Sequence, residues 1–170
     1  MNKRATILKW IFFSLSILVN AFIIYQSALS RSSSNAWSDV VINIIYDITG
    51  GSVEAETPVT PDVTFWDVVR KAVGHFSLFL VSGVFTYLYF YYLNKEGIFP
   101  LKYLHLLIPI FIGIVLAALT EIIQSFVPGR NGNIADVFID SGGYVLGVGI
   151  VYLITYLVNR KVNKEEKQVE

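Results

Sequence analysis

The chain has no cysteine, only two histidines, and as many acidic as basic residues, 13 of each. The missing cysteines exclude a disulfide framework, thiolate chemistry and a thiolate metal site. Two histidines are too few for a histidine-rich metal cage, and we expect no metal ion and no other cofactor. A net charge of zero creates no field that attracts a polyanion, so we expect no nucleic-acid partner.

Charged residues are scarce as well, at 15% of the chain, whereas 54% of the residues are hydrophobic and mean hydropathy is +0.58. Four apolar runs reach the length of about 20 residues that a bilayer requires. They cover residues 10–29, 72–93, 103–127 and 134–158. These runs predict an all-α membrane protein with four transmembrane helices in a single domain, 1–170. The first run also resembles a signal peptide, but its length and its weak cleavage site favour a retained helix.

The positions of lysine and arginine predict the orientation of the helices. Nine of the 13 lie in the N-terminus, in the loop between the second and third runs, or in the tail, 159–170. Cationic loops stay in the cytoplasm, so we expect both termini inside a cell membrane that the chain crosses several times. The other four, Arg31, Arg70, Lys71 and Arg130, then lie on the extracytoplasmic side.

The external segment between the first two spans, 30–66, has a helical polar stripe. Asp39, Asn43 and Asp47 recur every fourth residue, and the other faces are apolar. This pattern predicts an amphipathic helix that lies on the outer surface, over lipid or over the helix bundle. Residues 50–63 are predicted to be a flexible acidic linker.

Three of the spans place ionisable side chains inside their apolar runs. At a rise of about 1.5 Å per residue, His75, Glu121 and Asp140 reach a similar depth. A shallower layer holds Lys71, Gln124 and Asp136, with Arg70 and Arg130 near the rim. A charge at the centre of a lipid-exposed helix costs at least about 2.5 kcal/mol, so these groups are expected to face one another.

Small residues allow the helices to approach closely enough for this contact. Gly143 and Gly147 lie on the same side of the fourth span as Asp140, and Gly113 and Ala117 lead up to Glu121 on the third. We expect Gly74 and Ser82 to flatten the second span around His75. Together these positions predict a polar pocket that faces the extracytoplasmic side.

The sequence EIIQSFVPGR at residues 121–130, followed by DVFIDSGG from Asp136, resembles the VanZ-like membrane family. The segment RKAVGHF, with Arg70, Lys71 and His75, is similar to another block of that family. The resemblance covers roughly residues 65–155. Here Asp140 stands where the family usually has asparagine, and Lys71 is four rather than three residues from the histidine. The resemblance implies an association with low-level resistance to teicoplanin-type glycopeptide antibiotics.

Two classes of function fit the predicted pocket. In the first, the pocket binds a membrane lipid or a lipid-linked cell-wall component. Arg70, Lys71 and Arg130 would meet phosphate, the acids would meet sugar hydroxyls or an ammonium, and Gln124 and Asp136 would also contact the ligand. In the second, the protein is an intramembrane enzyme whose His75 and Glu121 act as acid and base while Asp140 orients them. A hard metal ion held by the acids and proton-coupled transport are weaker alternatives. The simpler structural alternatives are helix packing for His75, a counter-ion role for Glu121, helix capping for Asp136 and a loop cation for Arg130, whereas Asp140 lies too far inside its span for capping.

Overall fold

The computed structural model describes residues 3–30, 71–101 and 103–169. Its helices are α1 (Lys3–Ala28), α2 (Ser77–Lys95), α3 (Leu104–Ser125) and α4 (Ile134–Val169). A π-helical segment, Lys71–Phe76, leads into α2. No strand occurs within these ranges, and four stretches are long and apolar enough to cross a membrane: Lys3–Ala28, Gly74–Lys95, Leu104–Ser125 and Ile134–Val162. The prediction of an all-α protein with four membrane-spanning helices is confirmed.

Parts of the predicted architecture lie outside the described residues. The amphipathic helix, the acidic linker and Arg70 all fall within 31–70. Helix α4 continues beyond the fourth apolar run and through most of the predicted tail, 159–170, to Val169. Lysine, arginine and glutamate favour helices, and Lys161 pairs with Glu165 one turn later at 3.8 Å. The orientation of the termini remains a prediction.

Helix α2 packs against each of the other three helices, and its contact with α4 is the closest. A Cβ atom added at Gly147 would meet the backbone of Leu80, and one added at Gly143 would meet Phe76. On the facing side, a Cβ at Gly83 would meet the carbonyl of Tyr144. The backbones of α2 and α4 therefore touch through glycines, as expected for Gly143 and Gly147.

We had expected Gly74 to flatten α2, but the glycine that does so is Gly83. Nothing lies within 4 Å of a Cβ placed at Gly74. Ser82 is fully buried, as a packing role requires, and it faces α1, where its hydroxyl donates to Asn20 Oδ1.

The centre of the bundle is formed around Tyr144, whose side chain is completely buried. Its ring lies directly on Gly113 of α3, where a Cβ atom would overlap the ring. Large buried side chains of α2 and α4 complete this core, among them Phe79, Tyr87 and Val148. The small residue predicted on α3 thus makes room for an aromatic ring rather than for a second backbone.

Helix α1 is fixed to the bundle by polar contacts. In the middle of the helix, Ser16 shares a hydrogen bond of 2.7 Å with Thr86, and Asn20 donates to Ser16. Near its N-terminus, Lys9 forms an ion pair with Glu96, with nitrogen and oxygen 2.7 Å apart. Hydrogen bonds between helices replace the hydrophobic driving force that is missing inside a bilayer.

Candidate functional site

The structure brings His75, Glu121 and Asp140 together at the end of the bundle where α3 passes into α4. His75 Nδ1 lies 3.5 Å from Asp140 Oδ2. The Glu121 carboxylate lies within electrostatic range of His75, Asp136 and Asp140. We call His75, Glu121, Gln124, Asp140 and Ser141 the polar cluster. The predicted proximity of the three deep groups is therefore observed, while their chemical roles remain predictions.

Asp140 lies on the second turn of α4 and is fully buried, with 0% of its surface exposed. Neither of its carboxylate oxygens has a hydrogen-bond partner among the described residues, and the imidazole of His75 stands 3.5 Å from Oδ2. His75 keeps 31% of its side chain exposed. A buried acid therefore stands behind an imidazole that can still be reached from the end of the bundle.

His75 owes its position to the π-helical segment Lys71–Phe76. A π-helix has wider turns than an α-helix, and short π-helical stretches are frequent at functional sites. Phe76, at the end of this segment, packs against Gly143, which brings the segment close to Asp140. Lys71 begins the segment, but its side chain is outside the described part of the structure.

Glu121 has a structural role that accounts for one of its two oxygens. Its side chain is buried, and Oε2 accepts a hydrogen bond of 2.7 Å from the backbone N–H of Asn133. Asn133 in turn caps α4, because its Oδ1 accepts the N–H of Ala135 at 3.0 Å. A carboxylate is favourable here because the N-terminus of a helix carries partial positive charge. The second oxygen, Oε1, is buried and has no partner among the described residues.

The turn between α3 and α4 is folded tightly onto Glu121. Gly129 has a left-handed backbone conformation, with φ of 78°, which favours glycine. A Cβ atom at Gly132 would meet the carbonyl oxygen of Glu121 and the side chain of Ser125. These two glycines allow the chain to reverse so closely that Asn133 reaches the carboxylate one helix away.

Arg130, predicted to bind an anion at the rim, contacts the end of α1. Its Nη1 donates to the carbonyl oxygens of Gln26, at 3.0 Å, and Leu29, at 3.2 Å. The last carbonyls of a helix have no partner within the helix, so a cation is favourable at this point. Arg130 thus fastens the α3–α4 turn to α1, a role that the sequence analysis missed because the contacting residues are about a hundred positions apart.

Asp136 and Gln124 occupy the places predicted for them. Asp136 is half-buried in the first turn of α4, and its backbone N–H bonds to the carbonyl of Asn133 at 2.9 Å. Gln124 is buried one turn after Glu121, and its Nε2 has no hydrogen-bond partner in the described ranges. The structure therefore places a buried amide donor one turn after Glu121 on α3.

Two buried hydroxyl groups of α4 that lie close to Asp140 in the sequence were not predicted. Ser141 Oγ and the Tyr144 hydroxyl are both buried, and neither forms a hydrogen bond with any described residue. The Tyr144 hydroxyl does lie near Ser82 and Thr86. Position four after Asp140 shares its side of a helix, so the spacing of Tyr144 was available as a signal. From the sequence, we had interpreted this part of α4 only through its glycines, as a surface for close helix packing.

Within the described ranges, no three histidine or carboxylate side chains are placed so that they hold a metal ion. The cluster offers carboxylate and hydroxyl acceptors, an amide donor and one imidazole. A shallow apolar depression lies in the N-terminal half of α1, whereas Arg130 contacts the C-terminal end of that helix. Its lining includes Thr6, Trp10 and Leu15. It has no polar cluster of this kind.

A comparison with protein families gives a match over most of the chain. The family model described as VanZ/LLP1 matches residues 11–155, from the first turns of α1 to the middle of α4. It includes every residue of the polar cluster. No curated protein and no solved structure is detectably similar to the chain.

Proposed function

Because the chain belongs to the VanZ-like family of membrane proteins, we propose that its polar cluster binds the polar head of a membrane lipid or of a lipid-linked cell-wall component. One observation carries the proposal: Glu121, Gln124, Asp140 and Ser141 all have buried polar atoms without a hydrogen bond among the described residues. Buried polar atoms are nearly always paired, so several orphaned ones at one place indicate a polar ligand.

The distribution of charge supports an extracytoplasmic location for this site. Most cations of the sequence lie in the termini and in the loop between α2 and α3, at the end of the bundle away from the cluster. Such ends face the cytoplasm, which leaves the cluster in the outer leaflet. A ligand would approach past His75, the most exposed of the deep groups, and its phosphate would meet the cations that the sequence predicts near the rim, Arg70, Lys71 and Arg130.

The proposal extends to antibiotic resistance. The family resemblance carries an association with low-level resistance to teicoplanin-type glycopeptides, drugs that act at the cell surface. A protein that holds a lipid-linked cell-wall component in the outer leaflet limits the access of such a drug to that component. Cells that express the chain should therefore need more teicoplanin for growth inhibition than cells that express Glu121→Gln. Equal sensitivity of the two strains would remove this extension and leave lipid binding intact.

Native mass spectrometry of the chain extracted with its surrounding lipid tests the binding proposal. The chain is expected to retain a lipid, and Glu121→Gln and Asp140→Asn are expected to lose most of it. Glu165→Gln is the matched control, because it makes the same change on the exposed end of α4. A chain that retains no lipid, or equal retention by all four proteins, would contradict the proposal.

The His75–Asp140 contact favours a second function, intramembrane acid–base catalysis on a lipid-linked substrate. A buried carboxylate next to one ring nitrogen fixes an imidazole so that its other nitrogen can exchange a proton with a ligand. In this case His75→Gln should abolish turnover of the retained lipid and leave its retention nearly unchanged. If the lipid is never altered by the unmodified chain, the protein is a binding protein only.

A further inference from the structure

We infer that the deepest part of the polar cluster binds a primary ammonium group, carried by the headgroup of an outer-leaflet lipid. The inference rests on the proposed lipid-binding function and names the chemistry of its ligand. The acceptors are Glu121 Oε1, one oxygen of Asp140 and Ser141 Oγ. No role was assigned to Ser141 from the sequence.

The two buried acids are used in the same way by the protein. Glu121 gives Oε2 to the backbone N–H of Asn133, and Asp140 turns Oδ2 toward His75 Nδ1. Each acid then has a second oxygen, Glu121 Oε1 and Asp140 Oδ1, that is buried and has no donor among the described residues. The helix cap thus orients the Glu121 carboxylate, His75 stands beside Asp140 Oδ2, and each acid keeps at least one acceptor for a ligand.

The balance of donors and acceptors selects the ligand. Two carboxylate oxygens and the hydroxyl of Ser141 are acceptors, and a primary ammonium carries three N–H donors. Its positive charge also offsets the cost of burying Asp140, which is completely removed from solvent. A phosphate would be repelled by both acids, and a lone hydroxyl would supply one donor and no charge. The ammonium is the common headgroup function that satisfies both requirements.

Gln124 adds a donor beside these acceptors. It follows Glu121 by three residues on α3, so the two side chains are neighbours, and its Nε2 is buried without a hydrogen bond in the described ranges. An amide at this position fits an oxygen next to the ammonium. Both ethanolamine phosphate and an aminoacyl ester present an amine near such an oxygen, and the test below separates these two sources.

The test compares headgroups that differ only in their N–H donors. The full chain in detergent is mixed with equal amounts of phosphatidylethanolamine, its N-methylated derivatives and phosphatidylcholine with the same acyl chains. The bound lipid is then measured by native mass spectrometry. We expect retention to fall at each methylation and phosphatidylethanolamine to exceed phosphatidylcholine by at least about tenfold, because even one lost charge-assisted hydrogen bond corresponds to that factor. A second mixture, aminoacyl-phosphatidylglycerol against phosphatidylglycerol, shows whether an aminoacyl ester is the better source.

Variants link the preference to the named atoms. Asp140→Asn and Ser141→Ala should reduce the preference for the primary amine at least threefold, and Glu165→Gln should keep it. Ser141→Ala is a small change on α4 that keeps the helix intact, so it answers the question if Asp140→Asn does not fold. Equal binding of all methylation states, or stronger binding of phosphatidylglycerol, would overturn the ammonium site and leave lipid binding standing. If no lipid binds at all, both proposals fail.

Discussion

Replacement of Gly147 by alanine should separate α2 from α4, because the added methyl group has no space. Its Cβ would lie 3.0 Å from the carbonyl carbon of Leu80 and 3.2 Å from its Cα, and closer still to the carbonyl oxygen. Carbon atoms in contact normally stand about 3.5–4.0 Å apart. The obstacle is backbone, which cannot rotate away as a side chain can, so the helices must move apart by roughly half an ångström or more.

The expected cost follows from the packing around this contact. Overfilled cores lose about 1–3 kcal/mol, and helices inside a bilayer depend on packing because no hydrophobic force holds them together. Gly149 gives a matched control on the same helix, since nothing lies within 4 Å of a Cβ placed there. Alanine at that position should be neutral or stabilising by up to about 1 kcal/mol, because glycine is a poor helix former.

Both variants can be unfolded in mixed micelles by increasing amounts of dodecyl sulfate, with helix content followed by circular dichroism. Gly147→Ala should unfold at a clearly lower detergent fraction than the unmodified chain, and Gly149→Ala should not. If the two variants unfold together, the direct backbone contact between α2 and α4 is wrong, and so is the position of Asp140 that depends on it.

Three further predictions concern the contacts that position the cluster. Arg130→Ala removes two hydrogen bonds to α1, so it should cost about 1.5–3 kcal/mol and speed amide exchange in the last turn of α1 only; unchanged exchange would contradict this role. Glu121→Gln keeps an acceptor for Asn133, whereas Glu121→Ala loses the cap, so only the alanine variant should destabilise the fold, by about 0.5–2 kcal/mol in thermal unfolding; equal losses would refute the cap. Glu96→Gln leaves the buried Lys9 without its carboxylate partner and should cost about 3 kcal/mol. Exchange of the two residues (Lys9→Glu with Glu96→Lys) should recover most of the stability that each single charge reversal loses, as measured in a double-mutant cycle; no recovery would exclude a direct pair.

Much of the helical fold was accessible from the sequence because the bilayer imposes a simple length rule. The four apolar runs coincide with the four candidate spans to within a few residues at most boundaries. The largest differences are at the N-terminus of α1 and the C-terminus of α4, where charged residues extend the helices beyond the apolar run. Hydropathy detects the apolar part of a helix, but charged turns that leave the membrane are invisible to it.

The candidate site was predictable as a group of residues but not as a set of bonds. The depth of His75, Glu121 and Asp140 follows from helix rise alone, and their proximity was expected for that reason. The bond from Asn133 to Glu121 and the contact of Arg130 with α1 depend on the path of the turn, which no periodicity describes. The hydroxyls of Ser141 and Tyr144 were missed for a different reason: uncharged residues cost little in lipid and do not stand out in an apolar run.

A crystal structure of the chain grown from a lipid mesophase that contains phosphatidylethanolamine would test the central claim most directly. We expect the headgroup of a lipid within hydrogen-bond distance, about 2.7–3.2 Å, of Glu121 Oε1 and Asp140. The same crystals of Asp140→Asn should lack it. A cluster in which these oxygens bond only to water or to other side chains of the chain would contradict the account.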